Sequence, residues 1–142
     1  MKKKLLILLL IFQSLLLQAQ PIADSLRSLL AAEQNPSKRA NLLVELANTY
    51  RYVSPDSSAL YARQASAIYA VQKDSAGLSK SDILVCYYYY NTGKPDSALL
   101  FLQPALKNII KNAGYDHAGL ISFYKLEGKI YLLQQQPALA LQ

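Results

Sequence analysis

The 142-residue chain is 52% apolar, which suits one packed domain and excludes a disordered segment. Lys2, Lys3 and Lys4 supply half of its net charge of +6; the other 12 basic residues are scattered among 9 acidic ones, which excludes the basic footprint of a nucleic-acid binder through this segment. A single cysteine, Cys86, and a single histidine, His117, exclude an internal disulfide and any multi-cysteine metal site.

Residues 1–19 carry the pattern of a secretory signal peptide. Three lysines precede the apolar run Leu5–Leu17, and Leu17-Gln18-Ala19 offers a cleavage site. The run is broken by Gln13-Ser14 and is shorter than the ~20 residues a membrane span needs. An uncleaved anchor is the alternative. The leader predicts export to the periplasm or cell envelope, with membrane contact only through the leader itself or a span downstream of this segment.

Residues 20–35 predict a leading helix, with Ile22, Leu26, Leu29, Leu30 and Ala32 at helical spacing. Asn35-Pro36 then gives a start signal, an N-cap followed by the residue that tolerates the first helical position. The next helix extends to about Tyr52 and contains Leu43, Leu46, Ala47 and Tyr50. Ser54-Pro55-Asp56-Ser57 opens another, spanning about 57–73, with Ala62, Ala65, Ile68 and Tyr69 on one face. Lys73–Gly77 is expected to be a loop. Helices over 79–91 and 96–112 follow, divided by Gly93 and restarted by Lys94-Pro95-Asp96-Ser97, 40 residues after the earlier Pro-Asp-Ser signal. Pro104 should kink or loosen the second of these, because proline lacks a donor and crowds the preceding turn. A helix over about 116–133 comes next, then a turn at Gln134–Pro137 and a single helical turn at 138–142, which is not stable alone.

Within the first helix of each pair, Leu43-Leu46-Ala47-Tyr50, Cys86-Tyr89 and Gly128-Tyr131 repeat a small residue three positions before a tyrosine. Alanines recur in the second helices. This order resembles the tetratricopeptide repeat (TPR), a helix–turn–helix unit with G-x-x-Y in its first helix and alanines in its second. The matched tyrosines lie 39 and 42 residues apart, longer than the ~34-residue TPR unit, and the chain has no tryptophan. The resemblance therefore implies a divergent array. It implies an all-α, TPR-like solenoid of antiparallel helix pairs over 36–142, with units at about 36–78, 79–115 and 116–142, the last incomplete. The open C-terminal end is then a candidate for self-association.

The resemblance also implies that the first helices line a groove, placing Asn48, Arg51, Tyr52, Tyr87, Tyr90, Asn91, Lys125 and Lys129 on it. Such an aromatic, amide and basic surface suits an extended peptide or a partner helix; the alternative is that the tyrosines only pack between units. Val44 and Leu84 stand where some TPR proteins place polar residues to clamp a C-terminal carboxylate. No catalytic, cofactor or metal site is expected. Adjacent Asp116 and His117 point about 100° apart on a helix, Cys86 sits at a packing position, and phosphate-loop, zinc-helix and G-x-S-x-G motifs are missing. The expected function is an exported protein- or peptide-binding module, and the family resemblance extends to the input regions of bacterial membrane sensors and regulators. A free-standing envelope scaffold is the alternative.

Overall fold

The computed structural model describes residues 21–111 and 117–135. The leader, Asp116, Pro137 and the single helical turn expected at 138–142 lie outside the described residues, while Gln134 and Gln135, expected in a turn, are helical. Six helices and no strand occur among them: α1 (residues 21–32), α2 (Pro36–Tyr50), α3 (Pro55–Gln72), α4 (Ser75–Asn91), α5 (Pro95–Lys111) and α6 (His117–Gln135). The chain is all-α, as expected.

Local chemistry explains most of the boundaries. Asn35 caps α2 by accepting a 3.1 Å bond from the Lys38 amide through Oδ1, and Pro36 fills the first turn. Arg39 ties α1 to α2 by donating from Nη1 to the carbonyls of Leu30 and Glu33, both at 2.8 Å. Ser54 precedes Pro55 as expected, but its hydroxyl meets Ser57 Oγ at 2.8 Å and caps no backbone amide. Gly93 stops the α4 chain direction at φ +69, the left-handed conformation that glycine adopts without cost.

One expectation is corrected. The loop expected at Lys73–Gly77 is only Lys73 and Asp74, because Lys73 itself takes the left-handed conformation (φ 56) and Asp74 Oδ1 accepts from the Gly77 amide at 2.9 Å. Gly77 thereby lies inside α4, pressed against Tyr69. α5 runs from Pro95 through Pro104 to Lys111.

Consecutive helices from α2 to α6 pack on one another. In addition α2 meets α4 and α4 meets α6, whereas α3 and α5 make no contact with each other among the described residues. The 40-residue offset between Pro55 and Pro95 reappears in the core. Ser58 and Ala98, Ala62 and Leu102, Ala65 and Ala105, and Tyr69 and Ile109 are all buried. Small residues at these positions let helix axes approach, and the larger partners fill the remaining space.

The first helices match in pairs as well. Tyr50 stacks on Tyr61 of α3 (5.8 Å between ring centres), and Tyr89 stacks on Phe101 of α5 (5.3 Å). Each tyrosine hydroxyl accepts from an arginine of the preceding helix: Arg27 of α1 at 3.0 Å and Arg63 of α3 at 3.3 Å. By this criterion α1 stands to α2 as α3 stands to α4.

Phe123, Leu126 and Ile130 are the fully buried residues of α6, packed with Ile83, Cys86, Leu102 and Ala105. Gly128 and Tyr131, the G-x-x-Y pair of this helix, are exposed. No described helix follows α6.

Candidate functional site

Four of the eight residues expected in the groove converge where the end of α2 meets α4. Arg51 caps α2, its amide donating to the Asn48 carbonyl at 3.3 Å. Its guanidinium carbon lies 4.7 Å from the centre of the Tyr52 ring and 4.6 Å from that of Tyr87. Both distances are within cation–π range. Asn91, one turn beyond Tyr87, donates from Nδ2 to the Arg51 carbonyl at 3.1 Å. The turn Arg51–Val53 is thus held from α4 by the Asn91 amide and the Tyr87 ring.

The two rings play different parts. Tyr87 is 8% exposed and belongs to the core cluster shared by α4, α5 and α6, while Tyr52 is 67% exposed. One ring is a fixed wall and the other an open one. Tyr90 is half-buried and packs against the same cluster as Tyr87. Asn48 is exposed one turn before Arg51, and Lys125 and Lys129 are exposed along α6. Among the described residues, no side-chain hydrogen bond or ion pair joins Asn48, Lys125 or Lys129 to the Arg51 cluster. Val44 and Leu84, where polar clamp residues would stand, both pack in the core cluster between α2, α3 and α4.

Elsewhere, the chemistry-bearing groups are turned inward. The Cys86 thiol is pushed far above its ordinary range by burial, with the nearby Asp82 carboxylate adding to the effect. Burial also raises the Asp82 pKa, opposed by a 3.2 Å hydrogen bond from Ser66 Oγ. No group of three or more potential metal ligands exists among the described residues, and no described helix is long and apolar enough to cross a membrane. The side chain of His117 lies outside the described ones.

Sequence reasoning missed the arginines that hold the tyrosine hydroxyls. Arg27 and Arg63 lie 23 and 26 residues from their partners, and no local spacing signals such a pair. It also missed that Arg51 lies within reach of two rings, Tyr52 beside it in the chain and Tyr87 on α4. The 40-residue offset from Arg51 to Asn91, the same as between the Pro-Asp-Ser signals, is the one trace of that contact in the sequence.

No protein-family model matches the chain, and no curated protein and no solved structure matches it either.

Proposed function

We propose that this chain is a TPR-like solenoid exported to the cell envelope that binds a protein or peptide along the face of α2, α4 and α6. The packing order supports the solenoid reading. First helices touch one another, second helices do not, and each stacked tyrosine repeats its partners one unit later. In a solenoid each unit buries its faces only against its neighbours, and the line of first helices is left as a continuous surface.

The observation that carries the binding reading is the Arg51 cluster, where an exposed tyrosine, a cation and the exposed Asn91 amide meet between the end of α2 and α4, one turn from the exposed Asn48. Tyrosine combines apolar area with a hydroxyl at low cost in side-chain entropy, and asparagine bonds both donors and acceptors of an extended backbone. A peptide-display selection on the immobilised full chain tests this. The selected peptides should bind at least tenfold more weakly to the Asn48→Ala, Tyr52→Ala double variant, whose changes are both on the surface and leave the helical circular dichroism unchanged. A selection yielding no binders, or binders indifferent to that variant, would contradict the reading.

The finer reading is that the module forms the input end of a bacterial membrane sensor or regulator. It rests on the leader, the leading helix and the Pro-Asp-Ser starts. Reading the coding frame past Gln142 separates it from a free-standing scaffold. A membrane span followed by a kinase or DNA-binding domain supports the sensor, and a stop codon removes it.

A further inference from the structure

We infer that the turn between α2 and α3 is a pre-set apolar tip, held in place by Asn91 of α4, and that a bound peptide lays an aliphatic or aromatic side chain against Tyr52 and Val53 there. The inference rests on the peptide-binding reading above and specifies the chemistry that this part of the surface takes.

Much of the turn's polar backbone is engaged inside the molecule. The Arg51 carbonyl accepts from Asn91 Nδ2 at 3.1 Å, and the Arg51 amide donates to the Asn48 carbonyl at 3.3 Å. The amides of Val53 and Ser54 both donate to the Tyr50 carbonyl, at 3.1 and 2.8 Å. Pro55 has no amide hydrogen to offer. A peptide pairing its backbone along this turn would need those donors free. What the turn presents outward is side chain, with Tyr52 67% exposed and Val53 49%.

The repeat itself does not require that pair. At the 40-residue offset that relates Arg51 to Asn91, the turn after α4 carries Thr92 and Gly93 in place of Tyr52 and Val53. Two neighbouring apolar side chains left in water contribute little to folding, and their contribution is recovered when a partner covers them. Their position is fixed beforehand. Asn91 reaches the turn across the α2–α4 contact, and the Tyr87 ring centre stands 4.6 Å from the Arg51 guanidinium carbon. A tip already ordered loses little conformational entropy on contact, so its apolar area acts as an anchor.

The test uses the display peptides selected on the immobilised full chain. They should share an aliphatic or aromatic residue whose replacement by alanine weakens binding about tenfold or more. On the Val53→Ser variant the parent and alanine peptides should bind within about threefold of each other, the coupling expected of a direct contact. Asn91→Ala should weaken the parent peptide about fivefold and quicken amide exchange at 51–54, with the urea midpoint unchanged. A merely structural role would move the midpoint and not the affinity. Peptides with no shared apolar residue, an alanine effect equal on both chains, or an affinity untouched by Asn91→Ala would overturn the inference. If those peptides still depend on Asn48 and Tyr52, the binding surface stands. A chain that selects no peptide overturns both. Where Asn91→Ala melts the fold, the Val53→Ser comparison decides, because that change lies on the exposed turn.

Discussion

Phe123→Ala is expected to cost about 3–5 kcal/mol of folding free energy, whereas Tyr131→Ala should cost about 1 kcal/mol or less. Phe123 has no exposed surface and stands among side chains from α4 and α5, so truncation leaves a cavity walled by three helices. Surrounding helices relax only partly into such a hole, which adds to the lost transfer energy. Tyr131 is 47% exposed and gives up little on truncation. Equilibrium urea unfolding of both variants, read from midpoints at unchanged slope, checks the pair. Comparable losses at the two positions would mean that a further element covers the Tyr131 face.

Gly77→Ala and Gly128→Ala should change stability in opposite directions. A Cβ on Gly77 would lie 2.3 Å from Cδ1 and 2.4 Å from Cε1 of Tyr69. That ring cannot swing aside cheaply. It is buried with Ala40, Leu43 and Ala65, and its hydroxyl donates to Asn41 Oδ1 at 2.7 Å. Overpacking of this kind costs about 1–3 kcal/mol, and the roughly 1 kcal/mol that alanine gains over glycine within a helix does not offset it. At Gly128 an added Cβ meets nothing within 4 Å, so the helical preference acts alone and should stabilise by about 0.5–1 kcal/mol. Thermal melts of the two variants should move apart, Gly77→Ala downward and Gly128→Ala upward.

The helices were legible because their start signals are local. Asn35-Pro36, Ser54-Pro55 and Lys94-Pro95 mark true beginnings, since proline removes a donor that the first turn does not use. The Asp74 cap was hidden by Gly77, whose presence suggested a loop. The glycine is there for a tertiary reason, the Tyr69 ring, which no sequence window reveals. In α6 the G-x-x-Y spacing was real, but spacing defines a face without saying what lies opposite it. Phe123, Leu126 and Ile130 lie on the side that α4 and α5 cover, and burial follows the neighbours. At the candidate site the residue types were legible and the clasp was not. Arg51 and Tyr87 meet only because α2 and α4 pack side by side, and the order of packing is set by the whole chain.

The most direct measurement is hydrogen–deuterium exchange of the full chain with and without a peptide selected on it. Binding across the first helices predicts added protection at 48–52, around the turn that carries Arg51, and at the end of α4 near Asn91. Protection confined to the exposed faces of α3 and α5, with 48–52 and 87–91 unchanged, would contradict the account.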